Sequence, residues 1–320
     1  VETTDLDLLA IDTETTGVGW SDEAFMISIA YYAGTSRTLV SYVYDKRDNA
    51  YWNKYLEEVL GYLKAADRIV MHNAKFDIQK LCRLGFPIRL FAEKFEDTQA
   101  IAHLIDEHQS TGLKYLAKKY LGESTDEDEV LKVYRRKNKL KKEDGYEPIP
   151  NHILAPYAAK DAEFTLQLYN MLYYRMAPEL QPLYEMEKQL TLALLRIEAQ
   201  GMAVDTQYIT NKRKEYGDRI YKLKQRIGEL AGEEFNPQSH QQVLHALSER
   251  GFVVSSTSKD ALKEVDDELA GLIVELREAN KIKSTYFDAM DKEPINGILH
   301  PNFRQHGTRT GRMSSGAAEA

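Results

Sequence analysis

The period of apolar positions changes along the chain. In the first third, short strand-length apolar runs come first and helical periodicity follows. Leu8 to Asp12, Phe25 to Tyr32 and Thr38 to Tyr44 are rich in Val, Ile and Tyr and predict three strands. Tyr51 to Ala65 places apolar residues at every third or fourth position and predicts a helix. RIVMHN, Arg68 to Asn73, predicts a short fourth strand, and Lys75 to Leu84 predicts a helix closed by Gly85 with Pro87 beyond it. Thr98 to Ile105 and Gly112 to Leu121 continue as helices, so helices packed on a sheet are the consistent architecture.

Beyond about Pro150 the strand patterns stop. Ile153 to Met176 is helical, until Pro178 and Pro182 interrupt the pattern. A long helix from near Glu185 carries Leu190, Leu194, Leu195 and Ile197 and ends at Gly201. Thr206 to Leu230 predicts another, with Lys and Arg on its polar face. NPQSHQQVLHALSERG has a cap signal at Ser239, a short amphipathic helix and a closing Gly251. Leu269, Leu272, Ile273, Leu276, Ile282, Tyr286 and Met290 mark one more long helix. The expected domain boundary lies between Ala177 and Glu185. No internal repeat or low-complexity segment is present.

Length and composition narrow the class. The 320 residues suffice for two domains, and 43% hydrophobic with 10% aromatic content describes an ordinary globular protein. The single cysteine, Cys82, excludes an intramolecular disulfide and a cysteine-rich zinc site, and its apolar helical setting predicts a buried, inert thiol. No apolar run approaches a membrane span and no signal pattern opens the chain, so an intracellular, reducing compartment is expected. The chain starts with Val1, so upstream residues removed or never recorded are one reading of its beginning. A net charge of −8 argues against a generic nucleic-acid coat but leaves open an enzyme acting on nucleic acid, because local fields outweigh the total. Charge is segregated: acidic STDEDE, Ser124 to Glu129, precedes basic KVYRRKNKLKKED, Lys132 to Asp144. A solvated surface excursion is the expected reading, with a phosphate-binding strip as the alternative.

Candidate chemistry begins at LLAIDTETTG, where Asp12 and Glu14 follow an apolar strand. Alternate residues of a strand share a face, so the two acids point the same way. Burying a carboxylate unpaired costs on the order of several kcal/mol, so partners are required. MHNAKFDIQKL places Asp77 four residues after Asn73 at a strand-to-helix junction, and YAAKDAEFTL places Tyr157 and Asp161 four apart on one helical face. Singly, Asp12 also reads as a strand-end cap, Asp77 as an early-helix acid, Tyr157 as a core aromatic and Asn73 as a turn residue. Together, acids from three elements would repel one another unless divalent ions neutralise them, and Mg²⁺ or Mn²⁺ prefers such oxygen ligands. Two ions about 3.5–4 Å apart form a clamp for attack of water on a phosphodiester. In that arrangement Tyr157 positions the water or assists its deprotonation.

These three motifs resemble those of the DEDD superfamily of 3′-to-5′ exonucleases, which has a ribonuclease H-like fold. That implies an α/β mixed sheet with flanking helices, metal binding by Asp12, Glu14, Asp77 and Asp161, and water positioning by Tyr157. It also implies that Thr13, Asn73 and Phe76 hold the 3′-terminal nucleotides. The superfamily's histidine branch would place a histidine where Pro156 stands; Tyr157 instead fits the tyrosine branch. His72, His103, His108 and His152 are then structural or surface residues.

The second half is similar to family A DNA polymerases. LTLALLRIEAQGMAVDTQYI resembles the helix leading from their exonuclease domain into the thumb. FNPQSHQQVLHALSERG, STSKDAL and LREANKIKSTYFDAM resemble successive thumb segments, and HPNFRQHGTRTGRMSS resembles the stretch leading into the palm. The resemblance implies an exonuclease domain over 1–180, a helical thumb-like region over 181–300 and a truncated palm start over 301–320. Lys281, Lys283, Ser284 and Thr285 offer charge and hydroxyl donors to duplex phosphates, with an exposed helix end as the alternative reading of both lysines. Arg312 matches by motif an arginine that touches the minor groove at the primer end. The exonuclease begins almost at Val1, which leads us to expect no preceding 5′ nuclease domain, as in phage polymerases. The family's palm carboxylates would come after TGRMSS, where only GAAEA follows. The expectation is therefore a Mg²⁺- or Mn²⁺-dependent proofreading exonuclease that acts on single-stranded 3′ ends and primer-template DNA. Its partner would be a second chain carrying palm and fingers, as in a split, phage-like polymerase, and its place the cytoplasm of a bacterium or phage-infected cell. A ribonuclease D-like RNA exonuclease and a non-catalytic DNA-clamping subunit are the alternatives.

Overall fold

The first strand, β1 (Leu6–Thr15), is longer at both ends than its apolar run and carries Asp12 and Glu14 inside it. The computed structural model describes residues 6–47, 50–124, 126–141, 144–292 and 296–316. β2 (Ala24–Ala33), β3 (Thr38–Asp45), β4 (Ala66–Met71) and β5 (Phe95–Asp97) complete a five-stranded sheet in the order β3-β2-β1-β4-β5. β2 runs antiparallel to β1 and β3, whereas β4 is parallel to β1 and to β5. The expected mixed sheet with flanking helices is therefore present.

The two faces of the sheet follow from the two-residue strand period. Leu9 and Ile11 join Ile27, Ile29, Ile69 and Met71 in one buried cluster with residues of α1 (Trp52–Ala65) and α2 (Ala74–Arg83). Fully burying a side chain of this kind contributes about 1.5–3 kcal/mol. The intervening Ala10, Ala30 and Val70 join the cluster formed with α3 (Thr98–Ile105), α4 (Leu113–Leu116) and α6 (Asn151–Tyr173). Small side chains there leave room for α6 against β1. Asp12 and Glu14 follow Ala10 at steps of two, so the sheet itself directs them to the side where α6 lies.

Compact packing divides the chain at Gln200 and Gly201, with the residues from Pro301 onward joining the first unit. The difference from the expected boundary near residue 180 has a physical cause in α7 (Gln181–Gln200). Its Tyr184, Leu192 and Leu195 enter the sheet clusters, the Tyr184 hydroxyl accepts from the Asp97 amide at 2.9 Å, and it donates to Glu96 at 2.7 Å. Lys188 also pairs with Glu96 at 3.3 Å. Pro182 falls in the first turn of α7, where a missing N–H is harmless, so it opens the helix instead of breaking it.

Two further elements depart from the sequence reading. β5 was not anticipated. Most of the charged stretch forms a helix, α5 (Asp126–Lys137), which buries Leu131 beside Ile149, Leu154 and Ala158. The expected helix over residues 112–121 is present, as α4 continued by a π-helical segment over Ala117–Leu121. Cys82 is half-buried in α2, and burial pushes its thiol up to about 11, which keeps it a poor nucleophile at neutral pH.

The second unit is helical, as expected. α8 (Thr206–Ala231), α9 (His240–Glu249), α10 (Lys259–Lys263) and α11 (Glu268–Ile282) enclose a cluster that includes Ile220, Leu223, Val243, Leu247, Leu262, Ile273 and Leu276. Asp205, Ser239, Ser258 and Asp267 each accept a backbone N–H as N-caps. Arg219–Glu275 and Arg226–Glu268 pairs join α8 to α11. The predicted last helix is present: α11 runs through a π-helical segment over Lys283–Phe287 into α12 (Asp288–Lys292). The unit's ends meet where β6 (Met202–Ala203) pairs with β7 (Ile298–Leu299). Gly201 has φ +65°, and a Cβ there would lie 2.5 Å from Ile298 Cγ2. In the first unit, β8 (Phe303–Arg304) pairs with β9 (Ser314–Ser315). Among the described residues, no helix is long and apolar enough to cross a membrane.

Candidate metal centre

Asp12 and Glu14 from β1 meet Asp161 from α6. One carboxylate oxygen from each lies within 4.8 Å of the other two. Asp12 is partly exposed, whereas Glu14 and Asp161 are buried. Burial raises all three carboxyl pKa values. Asp12 is pushed well above its ordinary value by burial and by Asp77, Glu14 and Asp161. Glu14 rises to about 8 through burial and Asp161. Burial also raises Asp161, although the charge of Lys114 and hydrogen bonding from Lys114 and Tyr157 pull it back. Such crowding disfavours charge in the absence of a cation.

Asp77 lies to one side of this group. It projects from the first turn of α2, on the face of the sheet opposite Asp161, and accepts a hydrogen bond from Thr13 Oγ1 at 2.7 Å. Burial raises it to about 7 against the pull of Thr13, and it remains close enough to raise Asp12. The turn before α2 is held by Asp97, at the end of β5. Its carboxylate accepts the amides of Asn73 at 3.1 Å, Ala74 at 2.9 Å and Gln99 at 2.9 Å, so it fixes the start of both α2 and α3. Asn73 takes the left-handed conformation, φ 67°, which asparagine adopts more readily than most residues and which turns the chain from β4 into α2. Asp97 was missed from sequence, although Asp followed by Thr-Gln before an apolar-periodic run is an N-cap signal.

Tyr157 precedes Asp161 by one helical turn. Burial and the charges of Asp161, Glu14 and Asp12 push its hydroxyl well above its ordinary pKa. Its ring stacks on Tyr146, with centroids 6.0 Å apart and planes at 22°. Tyr146 is placed by a backbone bond to Thr15 O at 3.1 Å, and by Arg135 of α5, which donates to Gly145 O at 2.8 Å and covers the Tyr146 ring. Gly145 is obligatory here: φ is +63°, and a Cβ would lie 2.1 Å from Thr16 O. Lys114 of α4 was also unforeseen. It forms an ion pair and hydrogen bond with Asp161, and its ammonium lies 4.1 Å from the Tyr157 ring centroid.

Thr13 is buried, while Phe76 is half-buried with the Lys80 ammonium 5.2 Å from its ring centroid. Lys80 donates to Gly19 O at 2.7 Å and Asp22 O at 2.9 Å, which fixes the β1–β2 loop. His72 is linked to Thr98 at 2.8 Å, and His103 lies 5.1 Å from His306 between ring centroids. Lys281, Ser284 and Thr285 are exposed in the second unit, and Lys283 pairs with Asp288 at 2.8 Å. Arg312 is exposed, and its carbonyl accepts from Thr308 Oγ1. Most of the GAAEA tail lies outside the described residues.

Comparison with known proteins gives the family. The family model described as 3′-5′ exonuclease matches residues 2–177, and that described as DNA polymerase family A matches residues 206–318. DNA polymerase I of Pseudomonas aeruginosa is 30% identical over 97% of this chain and 36% of its own length. DNA polymerase DpoZ of Vibrio phage phiVC8 is 29% identical over 96% of this chain and 54% of its own length. The chain thus spans about a third to a half of these relatives. In fold, it matches the POL domain of Pol1 from M. smegmatis, described in complex with DNA primer-template and dNTP. The TM-score is 0.70 at 20% identity, covering 98% of this chain and 52% of that one. With the first family model spanning more than half of its residues, the chain belongs to the 3′-5′ exonuclease family of family A DNA polymerases.

Proposed function

We propose that the chain is a 3′-to-5′ DNA exonuclease that removes nucleotides from single-stranded 3′ ends, acting as a proofreader. The observation that carries the reading is the convergence of Asp12, Glu14 and Asp161 oxygens within 4.8 Å. The donor set fits hard divalent cations: all oxygen, anionic when ionised, and enclosed by protein. Asp12, Glu14 and Asp161 would hold a Mg²⁺ or Mn²⁺ pair together with Asp77, whose carboxylate Thr13 orients. Bound there, the ions would lower the pKa of the attacking water and offset charge on the leaving 3′ oxygen.

The chain's own residues supply positioning. Because burial and nearby acids keep the Tyr157 phenol protonated, it donates a hydrogen bond to orient the water and does not remove its proton. Tyr146 and Lys114 fix the plane of that ring. Thr13 near the end of β1, Asn73 just after β4 and Phe76 in the first turn of α2 hold the terminal nucleotides. Lys281, Lys283, Ser284, Thr285 and Arg312 contact duplex phosphates and the minor groove. The setting is the cytoplasm of a bacterium or phage-infected cell.

The test is release of deoxynucleotides from 3′-labelled single-stranded DNA with Mg²⁺ or Mn²⁺. Asp12→Ala with Glu14→Ala should abolish release, and undiminished digestion by that double variant would reject the assignment. Parallel RNA substrates distinguish a ribonuclease D-like activity, for which a strong RNA preference is the signature.

A further inference from the structure

We propose that Lys114 is a built-in counter-cation of the carboxylate cluster, one that a divalent ion must displace from Asp161 to bind, so that the chain sets its own threshold for metal loading. The inference rests on the exonuclease reading above and adds to it a residue that sequence analysis did not single out.

Lys114 pairs through Nζ with Asp161 Oδ1, on one of the three carboxylates whose oxygens converge. The Asp161 carboxylate it holds has an oxygen within 4.8 Å of oxygens of Asp12 and Glu14, which places the ammonium beside the cluster. An ammonium and a dication on the same carboxylate repel each other, and that repulsion is strong where water is excluded. One charge must therefore leave for the other to settle.

The lysine is built to move. It has a flexible four-carbon stem and a point charge, unlike the rigid fork of arginine. It stands in the first turn of α4, near the helix start, and α4 continues as a π-helical segment over Ala117–Leu121. While paired with Asp161 the ammonium also lies 4.1 Å from the Tyr157 ring centroid and 5.4 Å from that of Phe164, within cation–π range of both, so ring contacts remain open to it when the ion pair breaks. Displaced from Asp161, Lys114 stays over the tyrosine that orients the water. It is a positioning residue whose occupancy of Asp161 and that of a metal ion exclude each other.

The experiment is a Mn²⁺ titration of the full chain, followed by electron paramagnetic resonance of free Mn²⁺, for wild type, Lys114→Met, Lys114→Gln and Lys114→Arg. Both neutral variants should bind Mn²⁺ about tenfold tighter or more, while the arginine variant stays near wild type because it retains the charge. A purely structural ion pair predicts the opposite order, with unchanged or weaker binding in the neutral variants, and that result would overturn the proposal. If neither wild type nor any variant binds Mn²⁺, the metal-centre reading itself falls and takes this inference with it. Equal binding in all four removes only the role of Lys114. Should the neutral variants fail to fold, wild type labelled at lysine Cε answers alone. The resonance missing from Lys114→Arg should shift as Mg²⁺ is added, and a resonance unmoved at saturation would refute displacement.

Discussion

Glu14 shows how far one buried side chain ties stability to pH. Its folded pKa of about 8 lies above its ordinary value of 4.5. Without metal, its contribution is fully present below pH 4.5 and lost as pH rises towards 8, because the folded state must then give up a proton it holds favourably. Metal-free protein should therefore melt at progressively lower temperature between about pH 5 and pH 8. Glu14→Gln should flatten part of that slope, and Mg²⁺ should restore the lost stability; a calorimetric pH series checks both. Tyr157→Phe keeps the ring stack and removes the donor. Digestion should slow by about 10²-fold, the lower end for a positioned proton-handling group, without changing the melting temperature by more than a degree or so. Asp12 and Glu14 were legible as a same-face pair because strand period alone decides it. Lys114 was not, because its meaning arises only where α4 comes against Asp161 of α6.

At the scale of elements, the weakest strand in sequence terms holds the site together. β5 is three residues, Phe95–Asp97, two of them acidic and all buried. Its carboxylates are satisfied by partners distant in sequence: Asp97 by the amides of Asn73 and Ala74, and Glu96 by Tyr184 and Lys188. No local pattern announces such a strand. Asp97→Ala leaves the first amides of both α2 and α3 unmatched, and should destabilise the first unit by about 2–3 kcal/mol. A fall in urea midpoint at unchanged slope would register it. Asp77 would shift with α2, so the variant should also lose activity at temperatures where it is still folded. α5 was hidden for a different reason. Its charges suit a solvated run, and the one fully buried residue among them, Leu131, is too small a signal to mark a helix.

At the scale of the whole molecule, the two units have separate cores, and the second is closed at its ends by the pairing of Met202 with Leu299. Residues 201–300 should therefore fold when expressed alone, with a helical circular dichroism spectrum and a cooperative melt. A featureless coil spectrum would show that the unit depends on the rest of the chain. The boundary was misplaced in sequence because Pro178 and Pro182 look like punctuation. The apolar stripe of α7 fits either unit until Tyr184, Leu192 and Leu195 are seen in the sheet clusters.

By itself, the sequence determined what depends on local period and on end signals: four strands and most helices, the shared face of Asp12 and Glu14, and the caps at Ser239 and Gly251. It also contained the ordered motifs that identify the family. Tertiary structure alone decided which acids converge, which one sits apart, and what stands among them. Asp77 is held by Thr13 beside the group of three, Asp97 serves the backbone, and a lysine completes the cluster. The reason is physical. Periodicity sets the direction of a side chain relative to its own element, whereas the field at a carboxylate is the sum over neighbours that only the packed chain brings within a few ångströms.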